Sequence, residues 1–396
     1  MQKIFFMCTH SNQGTGYARI SCEITNHLVK THDVVYYAFQ AYKGQEINDR
    51  FIDPRIRFID AIELDPHSPK GFGDNGIIPS FEKEKPEYLF IYNDICVCYS
   101  ILKLLENSSW KNYKIVLYVD FVYPWEDIEK IKFLSEKSDQ FYVFLNCWKE
   151  HLNDMGIQTT VLKHGIDIEK FHHVDDAKEK IGLSKDDFVI LNLNRNSSRK
   201  QMDVTIKAFL DFYKNHPNAK LHLSCSEISE CGYDIIRIIK TESFRRGLDQ
   251  QKVLKSIFNA SRPTAMDETY INLLYNAADV GMNTSSGEGF GLTVVEHALL
   301  NKPQIVTGVP AMKETIGDIA IVVEPKTWIS VNNYESHGGE LAIVDHVDFV
   351  KGLEKIYNGE FTGEGSRKYV IDNWSWSDKL KVLDEYFLNC DDESVH

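Results

Sequence analysis

Residues 283–303 read NTSSGEGFGLTVVEHALLNKP. Hydroxyl side chains and glycines surround Glu288, a short apolar run follows, and a second acid, Glu296, stands eight residues beyond the first. A glycine-rich stretch ahead of an apolar run predicts a loop opening onto a helix that begins near Leu292 or Thr293. Glu288 then belongs to the loop and Glu296 to the first or second helical turn. The N–H groups of Phe290, Gly291 and Leu292 would stand at the positive helix end, where a phosphate or polar sugar group is favoured. Two acids on different elements do not make a helix-borne zinc motif, which needs histidines at i,i+4. A bimetallic centre needs more acids than this stretch supplies, and His297 points elsewhere around the helix. No metal ligand set is expected.

Outward from this stretch, short apolar runs alternate with longer helix-period segments, the pattern of a parallel α/β architecture. In the first half the predicted strands are 3–8, 33–39, 87–93, 113–121, 140–146 and 159–164. They are rich in valine, isoleucine and aromatics and do not alternate, as strands covered on both faces do not. A second series, 188–194, 220–226, 279–285, 303–308 and 319–325, follows a polar stretch, with a crossover helix over 203–217. The segment 75–87 reads as a loop from its glycine and prolines. Two successive units, divided near residue 170, predict two parallel-sheet domains facing each other across a cleft.

Bulk properties agree with that reading. A chain of 396 residues exceeds the size at which single cores stop growing. Hydrophobic residues at 43% and charged residues at 26% are those of a globular protein, not a disordered one. A net charge of -14 disfavours nucleic acid and anionic membranes as general partners, although a local basic pocket can still hold a small anion. The eight cysteines are scattered, and the i,i+2 pair in DICVCYS (94–100) lacks a second pair, so it is a poor zinc signal. No apolar run suits a signal peptide or a membrane span. A soluble protein of a reducing, cytoplasmic compartment is expected.

Four further stretches carry candidate chemistry. THSNQGTGYARI (9–20) follows the first strand, and Gly14 and Gly16 would let a ligand approach the backbone closely, unless they serve only a tight turn. It lacks the third glycine and the acid of a dinucleotide fingerprint. NRNSSRKQMD (194–203) concentrates Arg195, Arg199 and Lys200 beyond a strand end; such cations suit a diphosphate, or are a solvated face ahead of a helix. Asp120 in YVDFVYPWED (118–127) stands where crevice residues of open sheets stand, or is a surface acid or helix cap. His164 in LKHGIDIEKF (162–171) marks an interdomain turn and is not assigned a catalytic role.

Together these pieces resemble the retaining nucleotide-sugar glycosyltransferases of family 4, which have the GT-B fold. The family's E-x7-E signature resembles Glu288 through Glu296, continued by HALLNKPQIV and approached by LLYNAADVGMNTSSGEGFGL (273–292). Its basic pair resembles Arg195 and Lys200, and its linker resembles HGIDIEKF. The resemblance extends to DNWSWSDKL (372–380), is specific in the C-terminal half and loose in the N-terminal half, and is similar in particular to members encoded by large algal viruses.

The resemblance implies an acceptor-side domain over 1–170, a nucleotide-sugar donor domain over 171–371, and a C-terminal helix over 372–396 returning to the first domain. It implies hexosyl transfer from a GDP- or UDP-sugar to a glycan or other hydroxyl acceptor, with no cofactor or metal, in the cytoplasm, or the host's if the source is viral. Arg195 and Lys200 would neutralise the donor diphosphate, Gly14 and Gly16 would approach it from the other domain, and Glu296 would hold the ribose. Glu288 would contact the donor sugar, with the backbone of Phe290, Gly291 and Leu292. Glu288 is not assigned as a nucleophile. Asp120 replaces a histidine of many members, so its part in acceptor activation is not carried over directly. A shortened spacing from Arg195 to Lys200 lets Arg199 share a phosphate contact. Acceptor recognition falls to 41–86 and 121–135, where Tyr118, Phe121, Tyr123 and Trp125 either stack on a sugar or fill the core. The alternatives are a GT-B sugar-nucleotide epimerase and a non-catalytic nucleotide-sugar-binding protein.

Overall fold

The computed structural model describes residues 1–41, 50–259, 267–331 and 337–393. Residues 42–49 of the expected acceptor region lie outside it.

The first sheet contains β1 (Lys3–Thr9), β2 (Asp33–Phe39), β3 (Arg57–Asp60), β4 (Tyr88–Asp94), β5 (Lys114–Asp120), β6 (Gln140–Val143) and β7 (Thr160–Val161). Their order is β3-β2-β1-β4-β5-β6-β7, with parallel pairing throughout. The continuous apolar run of β1 is buried from Ile4 onward because both faces of the sheet are covered. The chain leaves β1 toward β2 and β3, then returns to the opposite side at β4. The loop after β1, which carries Gly14 and Gly16, therefore opens at a topological switch point, where open α/β sheets form a crevice.

The second sheet contains β8 (Phe188–Asn192), β9 (Ala219–Leu223), β10 (Ile257–Asn259), β11 (Val280–Asn283), β12 (Gln304–Thr307) and β13 (Ile321–Val323), ordered β10-β9-β8-β11-β12-β13. The same logic places its switch point between β8 and β11. The basic stretch follows β8 and the Glu288 loop follows β11, so strand order alone brings together two segments distant in sequence. A hairpin of β14 (Thr327–Ser330) and β15 (Glu340–Ile343) follows. It leans on the first unit, where the Asp127 N–H donates to the His337 carbonyl at 2.8 Å and the Glu340 N–H to that of Pro124 at 2.9 Å.

Of the helices, α1 (Gly16–Leu28) follows β1, α2 (Met202–Tyr213) follows the basic stretch, and α3 (Leu292–Ala298) follows the Glu288 loop. The C-terminal α4 (Lys381–Glu393) packs on the first unit, its Phe387 ring 4.7 Å from His32 and 5.0 Å from Tyr88. No described helix is long and apolar enough to cross a membrane. The described cysteines are all free thiols.

The edge strands β3 and β10 and the hairpin are not in the sequence reading. They are short, and β3 and β14 are largely exposed, so they lack the apolar runs by which central strands are recognised. The segment read as a loop over 75–87 instead forms a helix, Asp74–Glu84, with Pro79 inside it. Ile77 and Phe81, one turn apart, are buried and overcome the proline's penalty; Phe81 packs edge-on against Phe5 at 5.4 Å and Tyr113 at 4.8 Å. Phe81→Ala should cost about 3–5 kcal/mol of stability, read as a lowered urea midpoint for the first unit. An unchanged midpoint would show that this helix is not anchored by its ring.

Candidate active site

The carboxylate of Glu288 organises the cleft between the sheets. It is 7% exposed, and it is met by the Lys200 ammonium, by Arg199 Nη1 at 3.3 Å and by Asn283 Nδ2 at 3.1 Å. Burial opposes its ionisation, but the Lys200 and Arg199 charges overcome that and hold its carboxyl well below the usual range. Burial and the neighbouring Arg199 charge push the Lys200 ammonium down to about 7, against the pull of Glu288. The two shifts pull in opposite senses for one pair. With Arg199 permanently charged beside it, Glu288 is the carboxylate, and Lys200 is the group whose charge depends on what enters the cleft.

The basic stretch is held rigidly. The Ser286 N–H donates to the Arg199 carbonyl at 2.8 Å, and the Thr284 hydroxyl to the Lys200 carbonyl at 2.9 Å. The Arg199 guanidinium itself is engaged by the Gly287 carbonyl and Glu288, so it braces the loop as well as lining the cleft. Arg195 is exposed at the cleft rim.

From the opposite side come Gly14, Gly16 and Asp120. They line, with Arg195, Arg199, Lys200, Glu288, Phe290, Gly291 and Leu292, a single cavity of about 290 Å³. A Cβ on Gly16 would stand 2.9 Å from Leu292 Cδ1, so a larger residue there would have to push the end of that leucine aside. Phe290 is 3% exposed, its ring on His164 at 5.1 Å and Trp374 at 5.0 Å.

Asp120, at the end of β5, receives the Tyr17 hydroxyl on Oδ2 at 2.7 Å, while Oδ1 is buried with no hydrogen-bond partner. A Cβ on Gly289 would overlap this carboxylate. Burial pushes the Asp120 carboxyl up to about 7; the Tyr17 hydrogen bond and Arg199 restrain the rise, and Glu126 and Asp94 add to it. His164 lines the same cavity but is driven down to about 3 by burial. The Tyr118 hydroxyl donates to the Leu162 carbonyl at 2.6 Å, so His164 Nδ1 must donate to the Tyr118 oxygen at 2.7 Å. This imidazole is neutral and fixed in the wall. Tyr118, Phe121 and Tyr123 are core residues, and Trp125 alone of that aromatic group is exposed.

Glu296 faces a different space. It lines an adjoining cavity of about 620 Å³ with Arg19, Arg50, Lys170 and Glu268, and Leu292 borders both cavities. Its carboxylate is bound by the Arg19 guanidinium of the first unit, and the Tyr275 hydroxyl donates to Oε2 at 2.9 Å. Arg50 Nη1 donates to the carbonyls of Ser11 at 2.6 Å and Gln13 at 2.7 Å, pinning the loop ahead of Gly14. Tyr17 and Arg19 are not in the sequence reading although both lie in the first turn of the helix that Gly16 opens, which was the available signal. Tyr275 and Arg50 left no local signal.

Among the described residues, one group of metal-ligand type comes close together, Asp94, Cys96 and His337, and it lies outside both cavities. His337 stands between Asp94 at 3.9 Å and Glu126 at 3.7 Å. Burial opposes its protonation, but Glu126, Asp94 and Asp120 raise it to about 9, so an imidazolium already supplies positive charge there.

The raised Asp120 carboxyl has a signed consequence. Its contribution to stability is complete below about pH 4, where the unfolded chain also holds the proton. It is lost as pH rises through about 7. Asp120→Asn removes that loss, so its melting temperature relative to the parent should climb between pH 4 and 7 and then level. A difference independent of pH would contradict the buried, proton-retaining state.

No protein-family model matches the chain. Alpha-monoglucosyldiacylglycerol synthase of Acholeplasma laidlawii is 28% identical over 154 residues, 37% of this chain and 35% of that protein. The matched stretch spans about a third of the length of the curated relatives it resembles. Among solved structures, sucrose-phosphate synthase of Thermosynechococcus elongatus superposes with a TM-score of 0.74 at 16% identity, covering 98% of this chain and 99% of that one. Anabaena HepE, in complex with UDP and glucose, superposes with a TM-score of 0.68 at 14% identity and the same coverage. The chain has the GT-B fold, two Rossmann-like parallel-sheet units facing each other, and its relatives are glycosyltransferases of the family 4 type.

Proposed function

We propose that the protein is a retaining glycosyltransferase that moves a hexose from a GDP- or UDP-linked sugar to a hydroxyl of a glycan or small-molecule acceptor. The observation that carries this reading is the single cavity lined from one side by Gly14, Gly16 and Asp120 and from the other by Arg195, Lys200, Glu288 and the Phe290–Gly291 backbone.

In this reading the donor diphosphate lies between Arg195 and Lys200 on one unit and the Gly14–Gly16 loop on the other. As the bond from the sugar's anomeric carbon to the phosphate oxygen breaks, negative charge grows on the diphosphate. Arg195, Lys200 and the N–H groups at the start of α1 favour that charge. Lys200, poised to gain a proton when an anion arrives, becomes fully charged where it is needed. No metal is required for that compensation. Glu288, kept ionised by its own cations, accepts hydrogen bonds from donor-sugar hydroxyls and is not a nucleophile in this scheme. Asp120 stands beside the transferred sugar and becomes able to take a proton from the acceptor hydroxyl as pH passes about 7. The nucleoside half extends into the adjoining cavity, where Glu296 is the group suited to ribose hydroxyls.

A thermal-shift panel of GDP, UDP, ADP and their sugars tests the donor site, since selective binding raises the unfolding temperature. A flat response to all of them would remove the donor reading. Lys200→Ala should lower transfer by roughly 100- to 1,000-fold. Arg199 and Asn283 remain on Glu288 in that variant, so circular dichroism should report an intact fold. Transfer at the parental rate would show that Lys200 does not carry the phosphate charge.

A further inference from the structure

The loop bearing Glu288 is gripped from the first unit by a residue outside both cavities. Trp148, 1% exposed on the helix Asn146–Asp154, donates its indole Nε1–H to the Gly289 carbonyl at 3.2 Å. The peptides described here are all trans, so the N–H of Phe290 points opposite to the Gly289 carbonyl. With that carbonyl turned to Trp148, the Phe290 N–H is turned away from the indole, in a loop whose Gly289, Phe290 and Gly291 line the cleft. The same helix is tied to the second unit a second time. Glu314 accepts from the N–H groups of Asn146 at 2.9 Å and Cys147 at 2.7 Å, the first two donors at its N-terminus. Trp148 and Gly289 belong to different units, so the indole bond exists only while the units are together.

We infer that Trp148 is a positioning residue, whose indole N–H sets the Gly289–Phe290 peptide so that the Phe290 N–H is offered to the donor sugar only in the closed molecule. It touches neither substrate nor reacting atoms. It acts by converting closure of the two units into the orientation of one peptide. This inference rests on the transfer reading above.

Trp148→Phe keeps a buried aromatic ring and removes the donor together with the pyrrole part of the indole. It should lower kcat about tenfold, the effect of one lost hydrogen bond that matters in the transition state. The Kd for the preferred nucleoside diphosphate, measured by calorimetry, should stay within about twofold, and so should the KM for the acceptor. Hydrogen exchange supplies a second reading: the sugar-bearing form of that nucleotide, added without acceptor, should slow exchange of the Phe290 amide in the parent and not in the variant. An unchanged kcat overturns the inference, and so does a defect confined to melting temperature or to nucleotide Kd. Should the variant not fold, the exchange of the Trp148 indole proton in the parent decides the matter: protection on adding nucleotide and acceptor supports the inference, and free exchange overturns it. A parent that neither binds nucleotides nor transfers sugar would instead remove the donor reading itself.

Discussion

A carboxylate cannot be taken out of water alone, because the penalty is several kcal/mol and only close, well-placed positive charge offsets it. Glu288 is such a carboxylate, and meeting its requirement determines how the second unit is assembled around the cleft. The cations that answer it, Arg199 and Lys200, are 89 and 88 residues earlier in the chain. Only a sheet with β8 beside β11 brings the two loops together. Two cations then meet one acid, and Arg195 adds a third positive charge at the rim. The cleft is thus locally cationic in a chain of net charge -14, which is why overall charge is a poor guide to what this site accepts.

The glycines of the Glu288 loop answer a second constraint, the closeness of the other unit. At Gly289 there is space for Asp120 and Trp148 but none for a Cβ, and at Gly16 a side chain would strike Leu292. Polar groups on the first unit are correspondingly incomplete without the second. The helix Asn146–Asp154 takes a cap from Glu314, and Arg19 takes Glu296 as its counter-charge. The fit between units is therefore made of directed bonds rather than of apolar area alone, and such bonds have a definite geometry to lose when the units part.

How much of this is legible in sequence depends on the range over which each feature is specified. The central strands announce themselves as continuous apolar runs, and the start of α3 at Leu292 is written in the glycines before it. Residues after strand ends, such as Gly16, Asp120, Lys200 and Glu288, can be placed near a crevice because parallel sheets put their loops there. Partners chosen by tertiary proximity leave no such trace. Nothing near Trp148 marks it as a ligand for residue 289, and nothing near Arg50 marks it as the pin of the glycine loop. The helix over Asp74–Glu84 shows the converse failure: local proline chemistry argues against a helix that two buried side chains nevertheless enforce.

The two acids of NTSSGEGFGLTVVEHALLNKP are both buried and both matched to arginine, yet the matches differ in kind. Glu288 draws its cations from its own unit, so its charge is held whether or not the first unit is present. Glu296 draws Arg19 from the other unit and, among the described residues, keeps the Tyr275 hydroxyl within its own. Separation of the units leaves the first site electrostatically intact and exposes the second to water. Charges already in place need no reorganisation when a ligand enters, and Arg199 paired with Glu288 provides that at the first end of the stretch. The Glu296 end, assembled by contact between units, is the one whose environment changes with closure. One loop and one helical turn thus join a preorganised charge site to a closure-dependent one, with Leu292 as the shared wall between their cavities.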